Sequence, residues 1–208
     1  APLQSGVTNT FLVDAPSLAL DSTFYYLVTG VDLVGNEGAP SNQAAVVFDV
    51  HVPTIMVIGV TNGQSANANL APVVTIADFS QFTATVTLNG QPFAGSATLT
   101  LPGTYFLSAQ AADAFGNASS ATVSFTIDKS SPTLVLLSPP NGLLTNQNVL
   151  VTYQTADDFT PAGQIVVKDE FGSVVPSSYT ITVEGARNLT LTARDLAGNA
   201  ASAGAAFI

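Results

Sequence analysis

Three copies of a five-residue pattern, D-x-x-G-N, recur along the chain: Asp32-Leu-Val-Gly35-Asn36, Asp113-Ala-Phe-Gly116-Asn117 and Asp195-Leu-Ala-Gly198-Asn199. Their aspartates are offset by 81 (113 − 32) and 82 (195 − 113). A second signature gives an independent period. Pro53-Thr54, an apolar run and Asn62-Gly63 match Pro132-Thr133, its apolar run and Asn141-Gly142 at an offset of 79 (142 − 63). Two unrelated motifs agreeing this closely make the 208-residue chain an array of small repeated units, each of which must bury its own core.

Within a unit the hydrophobic period is 2. Counting back from each D-x-x-G-N aspartate, positions −8, −6, −4 and −2 read Phe24, Tyr26, Val28, Gly30, then Tyr105, Leu107, Ala109, Ala111, then Arg187, Leu189, Leu191, Ala193. Alternation of this kind marks a strand with one buried face. In the middle unit, similar runs at 54–60, 73–76, 82–88, 97–101 and 121–127, with a short strand at 91–93 after the turn residues Asn89-Gly90, bring the expectation to seven strands. No long window carries a helical stripe, so the fold class is all-β: tandem antiparallel β-sandwiches.

The D-x-x-G-N pattern has a mechanical reading. Aspartate at the first position of a type I turn accepts hydrogen bonds from the backbone N–H groups ahead of it, and the glycine takes the left-handed conformation at little cost. The motif therefore closes the hairpin between the last two strands of each unit. Tyr105, after Leu101-Pro102-Gly103-Thr104, is placed to return its hydroxyl to upstream backbone as a tyrosine corner.

At these residues the chain resembles the bacterial immunoglobulin-like and fibronectin type III-like tandem repeats of large cell-surface and secreted proteins. Residues 22–42 look like the last hairpin of a fibronectin type III domain, and Leu101-Pro-Gly-Thr-Tyr105 with Phe115-Gly116-Asn117 looks like a bacterial immunoglobulin-like domain. Phe24 and Arg187 stand where a corner tyrosine is expected, a departure in the first and third units. The resemblance implies a fold and leaves function open, because such sandwiches host many roles.

The repeat spacing sets the expected domains at 1–50, the C-terminal half of a fibronectin type III-like sandwich, and at 51–129 and 130–208, two immunoglobulin-like sandwiches. The offset from the junction proline to the next D-x-x-G-N aspartate is 60 after Pro53 (113 − 53) and 63 after Pro132 (195 − 132), whereas Asp32 stands at an offset of only 31 from Ala1 (32 − 1). The first sandwich is thus expected to be incomplete, its missing strands lying upstream in a longer polypeptide or donated by another chain through β-augmentation. The junctions lack glycine and carry proline, which predicts a stiff rod.

Composition narrows the function. Only Lys129, Lys168, Arg187 and Arg194 oppose 14 acidic residues, so nucleic acid is excluded as a partner. The apolar run at 54–60 is far short of the roughly 20 residues of a membrane span. With no cysteine there is no disulfide framework and no thiolate chemistry. The sole histidine, His51, sits in a linker without a G-x-S-x-G partner, and the adjacent pairs Asp157-Asp158 and Asp169-Glu170 point to opposite faces of a strand or lie in solvated turns. No catalytic, cofactor-binding or metal-ligating residue is assigned, and the chain is read as no enzyme.

Acidic residues do recur at the junctions (Asp49, Asp128) and hairpins (Asp32, Asp113, Asp195), where hard oxygen ligands could gather around a structural calcium. No run approaches the ligand density of D-x-[DN]-x-[DN]-G, and each hairpin aspartate already has its role as a turn cap, so calcium is the one cofactor expectation left open. Asn117-Ala-Ser119 and Asn188-Leu-Thr190 are N-glycosylation sequons, the first better explained by its turn. Three readings follow for an extracellular or cell-surface module: a non-catalytic structural spacer whose partners are other domains of the same polypeptide; a self-assembling filament or adhesin subunit completed by strand donation from a neighbouring copy; or an adhesion module that binds a surface glycan or protein.

Overall fold

The structure, a computed structural model, describes residues 21–208. The described residues are almost entirely β-strand, and their sheets pack face to face as β-sandwiches. The described strands are β1 (Ser22–Tyr26), β2 (Ala44–Phe48), β3 (Thr54–Ile58), β4 (Gln64–Ala66), β5 (Val73–Ala77), β6 (Phe82–Leu88), β7 (Gln91–Pro92), β8 (Gly103–Asp113), β9 (Ala118–Ile127) and β10 (Thr133–Ser138). They continue with β11 (Val149–Ala156), β12 (Val166–Lys168), β13 (Ser178–Ile181), β14 (Arg187–Arg194) and β15 (Ala200–Phe207). The one helical element among the described residues is a single 3-10 turn at Ala162–Gln164.

Sheets follow the repeats. β1 and β2 pair antiparallel; β3 pairs with β5, and a five-stranded sheet is ordered β4-β9-β8-β6-β7; the last repeat forms two three-stranded sheets, β10-β11-β13 and β12-β14-β15. Contacts divide the molecule into two compact units: the described part of Ala1–Thr54 with Ile76–Ala84 and Ala111–Ser119, and a second comprising Ile55–Thr75, Thr85–Gln110 and Ser120–Ile208. The second unit holds two hydrophobic clusters. One gathers Val60, Leu70, Leu107, Phe125 and Ile127, with Val57 of β3 and Val74 of β5 packed against it from the facing sheet. The other gathers Val149, Val151 and Tyr153 against Val167, Leu189, Leu191, Ala193 and Phe207. Each is a sandwich core filled by the inward positions of two sheets.

The period-2 alternation holds in β8 and β14, where Leu107, Ala109 and Ala111, then Leu189, Leu191 and Ala193, are buried. It fails in the first copy: β1 ends at Tyr26, and Val28 is 72% exposed. The turn at Asn89-Gly90 forms as expected, with positive φ at both residues (51° and 76°) between β6 and β7. Tyr105 makes its corner, donating to the Leu101 carbonyl at 2.8 Å, and stacks on Phe125 with ring centroids 5.4 Å apart.

Two further expectations need correction. Residues 97–101 do not form a strand. Leu99 instead exchanges a pair of backbone hydrogen bonds with Leu70 (2.7 and 3.2 Å) as an isolated bridge, because a single apolar side chain there reaches the core. Nor is every pair antiparallel, since β4 runs parallel to β9, Gln64–Ala66 against Phe125–Ile127. The Asn-Gly of the second sequence signature brings this about. Asn62 Oδ1 accepts from Ser124 N (2.9 Å) while Gly63 N donates to the Ser124 carbonyl (2.7 Å). Asn141 and Gly142 repeat both bonds on Ala206 at 2.9 and 2.7 Å. The signature is therefore a hook that fastens the opening of each repeat to its last strand.

Candidate functional site

In all three D-x-x-G-N motifs the asparagine's backbone and side-chain N–H groups cap the aspartate, and in the first two the N–H two residues on joins them. Asp32 Oδ1 accepts from Val34 N (3.0 Å) and Asn36 N (2.8 Å), and Asn36 Nδ2 donates to Oδ2 at 2.7 Å. Asp113 is held the same way by Phe115 N, Asn117 N and Asn117 Nδ2 (2.9, 2.8 and 2.7 Å), and Asp195 by Asn199 N and Nδ2, both at 2.8 Å. The bonds from Asn36 hold the Asp32 carboxyl below the ordinary carboxylate value. At Asp113 burial pushes the pKa up, but the Asn117 and Phe115 bonds outweigh it, and the net shift is downward. Asp169, in Asp169-Glu-Phe-Gly172-Ser173, builds a fourth turn of this type by accepting from Phe171 N and Ser173 N (3.0 and 2.8 Å).

The motif's asparagine reaches further than its turn. Asn117 Nδ2 also donates to the Asp49 carbonyl at 3.2 Å, and Asn199 Nδ2 to the Asp128 carbonyl at 2.9 Å. Ser119 Oγ adds a bond to the Pro53 carbonyl (2.5 Å). The hairpin thereby grips the backbone of the segment leading into its repeat.

That grip gathers carboxylates. Oxygens of Asp49, Asp78 and Asp113 lie within 4.8 Å of one another, and so do oxygens of Asp128, Asp157 and Asp195. The first set lies wholly in one compact unit and the second wholly in the other. In both, one oxygen of the junction aspartate caps the residue two positions on: Asp49 Oδ1 accepts from His51 N (3.1 Å), and Asp128 Oδ1 from Ser130 N (3.0 Å) and Ser130 Oγ (2.7 Å). The middle aspartate likewise caps its own loop, Asp78 through Ser80 and Asp157 through Phe159 and Thr160. Asp49 Oδ2, Asp128 Oδ2 and Asp157 Oδ1 are buried with no hydrogen-bond partner among the described residues.

Asp157 is thus not the solvated turn residue that its position beside Asp158 predicts; Asp158 is exposed and Asp157 turns inward. Motif patterning does not single out Asp78. Its signal lies in the repeat, since Asp157 follows it at an offset of 79 (157 − 78), the same as that of Asp128 from Asp49 (128 − 49). His51 is exposed, as a linker residue should be, but its Nδ1 lies 2.7 Å from Asp21 Oδ1. That hydrogen bond, then the Asp21 charge, raises the imidazole pKa above its ordinary value. Asn188 is exposed on β14, whereas the Asn117 amide is committed to Asp113 and Asp49.

A cavity of about 330 Å³ is lined by Thr145, Gln147, Ile181, Glu184, Phe207 and neighbouring residues, with Glu184 the only ionisable side chain in its wall. Among the described residues no helix is long and apolar enough to cross a membrane.

No protein-family model matches the sequence, and no curated protein matches it. Solved structures do resemble the fold. The fibronectin(III)-like modules of CbhA from Clostridium thermocellum align over 74% of this chain and 93% of theirs, at 16% identity and a TM-score of 0.44. A tetra-tandem repeat in the extending region of a large adhesion protein aligns over 90% of this chain and 56% of that one, at 23% identity and a TM-score of 0.34. SGBP-B of the mixed-linkage glucan utilization locus of Bacteroides ovatus, solved with a mixed-linkage heptasaccharide, aligns over 76% of this chain and 48% of that one, at 13% identity and a TM-score of 0.30.

Proposed function

We propose that the chain is a non-catalytic spacer segment of an extracellular or cell-surface multidomain protein. The observation that carries this reading is the repeated grip of hairpin on junction, Asn117 on Asp49 and Asn199 on Asp128. A module that recognises a ligand elaborates one loop cluster, whereas this chain spends the same polar residues twice on fixing backbone to backbone. The non-catalytic reading is supported by the chemistry of the candidate groups. His51 is engaged by Asp21, the hairpin aspartates are fixed in place as turn caps with no proton donor or nucleophile set against them, and Glu184 is the only ionisable side chain in its cavity wall.

Single-molecule force extension of the chain tests the spacer reading. Two hydrophobic cores predict two separate unfolding events, and featureless extension at low force would overturn it. A glycan array and a panel of hydrolase substrates should give no signal above denatured protein.

Size-exclusion chromatography across a concentration series should show a monomer throughout, since a spacer needs no second copy of itself.

A further inference from the structure

We propose that Asp49, Asp78 and Asp113, and separately Asp128, Asp157 and Asp195, form two equivalent sites for a hard divalent cation, calcium. Three observations combine. Oxygens within 4.8 Å of one another can share one ion at calcium–oxygen distances of about 2.3–2.6 Å. The junction aspartates are among the most buried polar residues described, Asp49 at 6% exposure and Asp128 at 0%, yet each keeps one carboxylate oxygen, Oδ2, without a partner. A buried carboxylate left unsatisfied is costly unless a counter-charge meets it. Finally, the arrangement occurs twice, at offsets of 79 (128 − 49), 79 (157 − 78) and 82 (195 − 113), with the unpartnered junction oxygen in both copies.

Among the described residues no lysine or arginine supplies the counter-charge, and His51, which feels the charges of Asp49 and Asp78, gives its hydrogen bond to Asp21 instead. Lys129 Nζ is bound to Asn69 Oδ1 and the Thr100 carbonyl, and Arg194 Nη1 to the Gly198 carbonyl. The one ion pair among the described residues, His51 with Asp21, includes no member of either set. The donors are all carboxylate oxygens, which suit a hard cation and give a thiolate- or imidazole-seeking metal nothing to select. The ion would tie the segment entering a repeat, one loop and the closing hairpin, the same three pieces that the caps and the asparagine grip already align.

The test uses the intact 208-residue chain, dialysed against chelator and titrated with calcium by calorimetry. Two ions should bind per chain, and the melting temperature should rise with calcium and fall back with chelator. Asp78→Asn should reduce the stoichiometry from two to one, as should Asp157→Asn; the double variant should bind none, and Asp158→Asn should still bind two. Circular dichroism in chelator confirms that each variant is folded. If a variant fails to fold, the wild-type stoichiometry decides alone. A count of none or one, melts that coincide in calcium and chelator, or an Asp78→Asn/Asp157→Asn protein that still binds two ions would overturn the proposal.

Discussion

The side-chain amide of Asn117 donates to the backbone carbonyl of Asp49, far earlier in the chain, while the same nitrogen bonds Asp113. One amide group thus serves its own turn and the junction ahead of its repeat. Asn199 does the same for Asp195 and Asp128.

Asn117→Ala or Asn199→Ala should therefore cost more than a turn residue normally does, because it leaves a carboxylate oxygen and a junction carbonyl without a donor at once. We expect a loss of about 1–3 kcal/mol in urea denaturation. Asn→Asp at either site should be worse than Asn→Ala, since it sets a second carboxylate against the first. Equal effects of the two substitutions would show that the amide is not the link.

The two cores call for truncation together. Phe125 is 1% exposed and Leu191 0%, in clusters that share no member. Phe125→Ala should cost about 3–5 kcal/mol and Leu191→Ala about 2–5 kcal/mol. The losses should add in the double variant within about 0.5 kcal/mol, and a larger coupling in equilibrium denaturation would mean that the cores are not independent.

Gly59 and Gly63 have similar positive φ values, 83° and 79°, but different surroundings. A Cβ on Gly59 would overlap the Ala71 carbonyl, while one on Gly63 meets open space. Gly63→Ala should cost about 1 kcal/mol from backbone strain alone, and Gly59→Ala distinctly more. Thermal melts that rank them the other way would contradict the packing at Ala71.

His51 should titrate above the ordinary histidine value, because its hydrogen bond to Asp21 and that carboxylate's charge favour the imidazolium. A histidine whose pKa is raised on folding contributes stability that is fully present below the unfolded value and is lost as pH rises through the folded one. Imidazole chemical shifts followed by NMR should move back toward the ordinary value in Asp21→Asn. No change in that variant would mean that the pair does not persist in solution.

Much of this was legible in the residues. The period, the caps, the tyrosine corner and the Asn89-Gly90 turn each follow from local chemistry: an aspartate beside free N–H groups, a glycine where φ is positive, a hydroxyl a few positions along the chain from its carbonyl. The strand expected at 97–101 and the uniformly antiparallel pairing fail because they depend on which partner a backbone group finds at long range. A single Leu99–Leu70 bridge leaves the same alternating pattern as a full strand, and an Asn-Gly that hooks a distant strand is spelled like one that turns a hairpin. The acidic sets lay in between. Asp49, Asp113, Asp128 and Asp195 stand out by position, but Asp78 and Asp157 carry no motif of their own, and only the repeat offset ties them to the rest. Composition supplies the negative charge without saying that six of the carboxylates face one another in two groups.

The parallel closure of β4 on β9 sets an order of events. Ala66 at the end of β4 accepts the N–H of Asp128, and Asn62 and Gly63 are held by Ser124, so β4 and the turn before it find their sheet partner only on the last strand of the repeat. Such pairing is rich in sequence-distant contacts and slow to form, and it cannot be completed on a partly synthesised repeat. Asp128, which completes that bonding, is also the residue whose carbonyl Asn199 later takes up. A chain made from its N-terminus would finish one repeat by placing the residue on which the next one fastens, so that folding advances along the array in the direction of synthesis.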